Sequence, residues 1–266
     1  MSRRSRRKEK KDRQGFLLLG LCLLTIALAV YFYFEVKGDY VEREKLTNCR
    51  KDGIISVETA FVFDTTDGLS ETQGILLKKK IGMLIESSAV DERITVYTLS
   101  ETIGDFKPIF NVCNPGDGQN ESEITSNKRK LLDTWKKNFV GKINDAMEGM
   151  TVKTSADYSP IMEMLKYVSV NTMLGSSAPK KRIIIASDML HHTNKYSHYR
   201  DNISYKDIVE TGYGVEVMPH LEGVHVSILY VVRSDTLNIQ NRGHVRFWEE
   251  YTKSGGGSVI SVETIN

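Results

Sequence analysis

The chain has 266 residues and a formal net charge of +2. That charge is uneven: residues 2–14 (SRRSRRKEKKDRQ) carry eight Lys or Arg against Glu9 and Asp12, a local net of +6, which leaves the remainder at −4. A mildly acidic remainder, with no basic stripe interleaved with aromatics, argues against nucleic-acid binding by the folded part.

The basic segment is followed by Phe16–Phe34 (FLLLGLCLLTIALAVYFYF), which contains no charged residue. At about 1.5 Å per residue this run spans roughly 29 Å, the thickness of a bilayer's hydrocarbon core. Tyr31, Phe32, Tyr33 and Phe34 place aromatics at its far end, as an interfacial belt requires. Because the basic residues flank only the N-terminal side, the positive-inside rule predicts a cytoplasmic tail at 1–14. A transmembrane helix at 15–36, a charged stalk at 37–53 and an extracytoplasmic domain at 54–266 then follow. A cleaved signal peptide is the competing reading. The apolar run exceeds the usual 7–15 residues of a signal peptide, and it leaves through bulky YFYFEV with no small-x-small site. The arrangement fits a single-pass protein of a bacterial inner membrane with its domain in the periplasm. A eukaryotic type II arrangement is the other setting, in which Asn120–Glu121–Ser122 is a glycosylation acceptor.

Of three cysteines, Cys22 lies in the apolar run, whereas Cys49 and Cys113 fall in the exported part. An oxidising compartment permits a disulfide between these two; separate buried thiols are the alternative.

From residue 54 onward strands and helices alternate. Ser56–Phe63 (SVETAFVF) reads as a strand stopped by the polar turn DTTDG, and Thr72–Ser88 carries apolar residues at helical spacing. Ile94–Leu99 and Pro108–Val112 read as strands; Asn114–Ser126 reads as a loop whose Ser126 caps a helix running to about Met147. Ser159–Pro160 opens a further helix with proline at its first position. Arg182–Ala186 (RIIIA) reads as a strand buried on both faces. Strand Val224–Val232, helix Asn241–Lys253 and strand Ser258–Val262 complete the chain. This alternation predicts an α/β fold with a doubly wound, mostly parallel, Rossmann-like sheet, whose site lies at the carboxyl ends of its strands.

Two strands end in aspartate there, at Asp64 and Asp188. A carboxylate at the end of a buried strand is costly to desolvate unless a cation or hydrogen-bond donors meet it. Thr66 and Ser159 add hydroxyls, and together these oxygens suit a hard cation such as Mg²⁺ or Mn²⁺. Two aspartates that merely cap neighbouring helices are the alternative.

FVFDTTDG, YSPIMEML and RIIIASDML, in that order, resemble the three elements of the metal-ion-dependent adhesion site of the von Willebrand factor A (vWA) family. The resemblance implies that Asp64, Thr66, Ser159 and Asp188 hold a divalent metal, and that the domain binds partner proteins. The pattern is broken at Gly68, which stands where the family's second hydroxyl belongs; Asp67, Ser70 and His191 are further candidate ligands. The segment HHTNKYSHYR matches no zinc spacing and reads as a solvated loop rimming the site.

Three functions follow as expectations. The first is a membrane-anchored vWA-like interaction module, a component of a cell-envelope complex. The second is a metal-dependent hydrolase using Asp64, Asp188, His191 and His192. The third is an envelope scaffold. Neither a nucleophile elbow nor a glycine-rich phosphate loop is present to support an enzyme of those classes.

Overall fold

From residue 54 onward, the runs of β-branched and aromatic residues read as strands form strands. The structure, a computed structural model, describes residues 3–38, 41–99, 101, 106–119, 127–148, 156–200 and 203–266. Ser126 and the Asn120–Glu121–Ser122 acceptor lie outside these residues. Two compact units divide the chain, Met1–Glu42 and Arg43–Asn266.

The first unit holds α1 (Arg3–Gly38). Within it Gly15–Phe34 has a mean hydropathy of 2.5 and is long and apolar enough to cross a membrane. Its side chains, Cys22 included, are exposed on the helix surface.

In the second unit, β1 (Val57–Asp64), β2 (Glu92–Leu99), β3 (Pro108–Cys113), β4 (Lys181–Ser187), β5 (Val224–Val231) and β6 (Ser258–Ile265) form one sheet. Their order is β3-β2-β1-β4-β5-β6, and every pair is parallel except β2 with β3. The strand period of two divides β1 and β4 between two cores. On one face Ala60, Val62, Ile183 and Ile185 pack under α5 (Ile161–Val168) and α7 (Arg242–Ser254), between which the chain forms the short α6 (Gly212–Glu216). On the other face Phe61, Phe63, Ile184 and Ala186 pack against α2 (Glu71–Glu86) and against the helical run from α3 (Lys128–Trp135) to α4 (Gly141–Glu148). A π-type segment, Lys136–Val140, joins α3 to α4 and buries Phe139.

The helix starts follow local chemistry. Ser70 caps α2 in a capping box with Gln73, Asn127 caps α3, and Asn241 caps α7 by accepting from Gly243 N and His244 N. Pro160 stands at the N-cap of α5 rather than at its first helical position. Its carbonyl accepts from Met164 N, so the missing proline donor costs nothing there.

At the amino ends of β1 and β2, Glu58 and Glu92 are fully buried. Glu58 accepts from Arg93 Nε and Nη2 (3.0 and 2.6 Å) and from Ser176 Oγ (2.8 Å). Glu92 accepts from Arg182 Nη2 (2.5 Å), Thr59 Oγ1 (2.6 Å) and Ala89 N (3.0 Å). With every oxygen met, the buried charges are tolerated.

The expected stalk is corrected in its second half. Residues 43–53 belong to the folded unit, because Cys49 is disulfide-bonded to Cys113 and Cys113 N donates to Thr47 O at 2.7 Å. Arg43 and Arg50 both pair with Asp91, at 2.6 and 3.4 Å. The bond closes a loop of 64 residues, which by chain entropy stabilises the fold by about 4 kcal/mol. Reducing the full chain in detergent, or replacing both cysteines by serine, should lower the melting temperature by roughly 8–16 °C. Calorimetry with and without reductant checks this.

Candidate functional site

The loops after β1 and β4 and the residues before α5 meet at the carboxyl edge of the sheet. Asp64 ends β1, and the chain turns so that Thr66 N and Thr66 Oγ1 both donate to Asp64 Oδ1, at 3.0 and 2.5 Å. Asp64 Oδ2 accepts from Ser187 Oγ at 2.6 Å, tying the end of β1 to the end of β4. Thr66 Oγ1 lies 3.3 Å from Ser159 Oγ. Ser159 is held by a two-way backbone bridge to His192, at 2.8 and 3.0 Å. The sequence thus named Asp64, Thr66, Ser159 and Asp188 as neighbours, and the fold brings the first three into direct contact.

Asp188 is buried, with Oδ1 accepting from Leu190 N at 2.9 Å. Its other oxygen accepts from Arg233 Nε at 3.1 Å. Arg233 also donates through Nη1 to the carbonyl of Gly68 and through Nη2 to that of Asp67 at 3.3 Å. One guanidinium therefore bridges the loop after β1 to the carboxylate after β4. Burial and the charge on Asp64 push the Asp188 carboxyl up, while Leu190 N and Arg233 oppose them. Burial likewise raises Asp67.

Sequence reasoning passed over Arg233, which lies in a polar loop after β5 with no motif around it. The available signal was positional: two aspartates at adjacent strand ends favour a nearby cation, and a residue just past the next strand can supply it.

Of the further candidates, Asp67 lies beside Thr66 at the site, whereas Ser70 and His191 fall elsewhere. The Ser70 hydroxyl accepts from Gln73 N at 3.2 Å as the cap of α2. His191 does not line the site: its ring is fully buried, with Nε2 2.9 Å from Tyr213 Oη and Nδ1 accepting from Met162 N at 3.4 Å. Nor is HHTNKYSHYR a solvated loop. It folds back on itself, His192 bridging Ser197, and sends His191 and His198 into the core under α7. His198 Nδ1 lies 3.0 Å from His244 Nε2, whose other nitrogen is 2.5 Å from Tyr230 Oη. His192, by contrast, points with Tyr158 and Tyr199 into a groove of about 380 Å³ beside Thr66 and Asp67.

These residues are committed to protein partners and fit the implied metal poorly. Each carboxylate oxygen of Asp64 and Asp188 already accepts a hydrogen bond. Gly68 offers no hydroxyl, and its carbonyl faces the arginine. Among the described residues no group of three or more His, Cys, Asp or Glu is placed to hold an ion.

Burial holds His191 down at about 3 and His244 at about 4, and lowers His198 as well. A folded-state value below the unfolded one of about 6.5 means that the unfolded chain binds more protons as pH falls. Stability is therefore present above pH 6.5 and lost below it, by about 1.4 kcal/mol per pH unit for each histidine. Asp188, Glu163 and Asp67, all raised by burial, act with the opposite sign, but of the three only Asp188 is carried up to about 7, so the three histidines dominate between pH 7 and pH 5. The urea midpoint should fall between pH 7 and pH 5, and His198→Leu should flatten that slope by about one proton's worth.

No family model and no curated protein sequence matches the chain. Among solved structures it is similar to an aerotolerance-related membrane protein from Bacteroides fragilis, at 11% identity and a TM-score of 0.39, covering 79% of this chain and 92% of that one. It is also similar to the minor pilin PilB from Streptococcus sanguinis, at 16% identity and a TM-score of 0.45, over 80% of this chain and 58% of that one. A von Willebrand factor type A protein from Catenulispora acidiphila matches at 13% identity and a TM-score of 0.36, over 76% and 43% of the two chains. The strand order, with its one antiparallel edge, and the placement of Asp64, Ser159 and Asp188 at the carboxyl edge make this fold vWA-like.

Proposed function

We propose that the chain is a membrane-anchored vWA-like interaction module, a component of a cell-envelope complex that binds a partner protein at the carboxyl edge of its sheet. The observation that carries this reading is the convergence of three loops on Asp64, Thr66, Ser159 and Asp188, with an open groove beside them lined by Tyr158, His192 and Tyr199. Aromatic side chains with polar tips at a groove bring large contact area at little entropic cost. The apolar helix at Gly15–Phe34 supplies an anchor, with the basic tail inside. The Cys49–Cys113 bond fits a domain in an oxidising compartment, the periplasm of a bacterial cell.

The hydrolase reading finds less support. A general base must reach the group it deprotonates, and both ring nitrogens of His191 are taken up by Tyr213 and the Met162 amide.

A photoreactive residue at position 199, half exposed at the groove, should form a discrete adduct with one envelope protein when the full-length chain is expressed in its own membranes. The same residue at position 109, exposed on β3, should form none. Adducts from position 109 alone would overturn the placement of the contact.

A further inference from the structure

We infer that Arg233 takes the place of the divalent cation at this vWA-like site, so that the site is built and works without a metal ion. The first ground is where the guanidinium lies. It joins Asp188 Oδ2 to the carbonyls of Asp67 and Gly68, the two elements that would have to share an ion's coordination shell. A divalent ion placed among the same oxygens would be close to a fixed positive charge and repelled by it.

The second ground is that the arginine is held there by its backbone. Arg233 N donates to Gln240 Oε1 at 2.7 Å, and Gln240 Nε2 donates to Asp188 O at 3.1 Å and Val231 O at 2.8 Å. Thr236 Oγ1 donates to the same Gln240 oxygen at 3.1 Å. The turn after β5 is thereby tied to the turn after β4, and the guanidinium is carried to Asp188 by a braced segment. The third ground is the exchange at position 68. A serine there would offer a metal its hydroxyl, whereas glycine leaves only a carbonyl, which an N–H donor satisfies and which Arg233 meets.

With an arginine in the ion's place, three of its donors turned onto Asp188, Gly68 and Asp67, the site offers no metal coordination position to a partner's carboxylate. Partner contact then passes through the adjoining polar and aromatic groove and is indifferent to chelators. This consequence for capture rests on the interaction-module reading; the inference about the ion does not.

The test uses the full-length chain in detergent, with its melting followed in EDTA, Mg²⁺ and Mn²⁺. The wild-type melting temperature should be the same in all three, since an ion that bound the folded state would raise it. Arg233→Gln should melt roughly 5–15 °C lower, because it strands Asp188 beside Asp64. A Mg²⁺ or Mn²⁺ shift in the wild type that Asp64→Ala removes would overturn the inference, as would an Arg233→Gln chain no less stable than its parent. Should that variant fail to fold, titration of the wild type with Mn²⁺, read by the electron paramagnetic resonance of the free ion, decides the matter: no uptake supports it and stoichiometric uptake sinks it. Crosslinking from position 199 repeated in EDTA separates the two claims. Adducts lost to EDTA count against a metal-free site, while their absence in every buffer counts against the interaction module and leaves the melting result standing.

Discussion

Helices cover both faces of β1 and β4, and this burial governs where polar groups can stand. Along the middle of these strands every side chain enters one of two apolar cores, as Ala60 and Val62 do on one side and Phe61 and Phe63 on the other. Charge is confined to the strand ends, where backbone pairing stops and donors from neighbouring loops come within reach. The sheet accordingly carries a pair of carboxylates at each end, the buried Glu58 and Glu92 at one and the half-buried Asp64 with the buried Asp188 at the other.

The two ends solve the same problem differently. At the amino end, Arg93 and Arg182 come from the strands themselves: Arg93 stands in register beside Glu58, and Arg182 reaches Glu92 across β1. At the carboxyl end no strand residue supplies a cation, and Asp64 is satisfied by hydroxyls and an amide instead. Asp188 is left to Arg233, which reaches it from the loop after β5. A vWA-like fold ordinarily leaves that place to a metal ion, by the resemblance the motifs carry. Here the substitution of one guanidinium, with glycine at position 68, converts a coordination problem into a hydrogen-bonding one.

The histidine segment shows a second use of the same loops. Its neighbouring imidazoles part company: His191 goes into the core beside Tyr213, and His192 goes to the groove beside Tyr158 and Tyr199. Buried neutral histidines, linked through His198 to His244 and Tyr230, fasten the loop after β4 onto α7. The groove thus rests on a packed base of buried imidazoles, none of which lines it.

Local patterns sufficed for the elements and for much of the site. Period-two and helical spacing located the strands and helices to within a few residues, an uncharged run marked Gly15–Phe34, and an aspartate after each of two apolar strands marked the carboxyl edge of the sheet. Such features depend on residues close in the chain, which is why one sequence displays them. The pairing of Cys49 with Cys113 was open, and the folding of residues 43–53 onto β3, the inward turn of His191 and the arrival of Arg233 at Asp188 were decided only by the tertiary structure. Each of these joins groups that are distant in sequence, or selects between two sides of one short loop. The deciding energy is then the burial or neutralisation of a group by a neighbour that no local pattern announces.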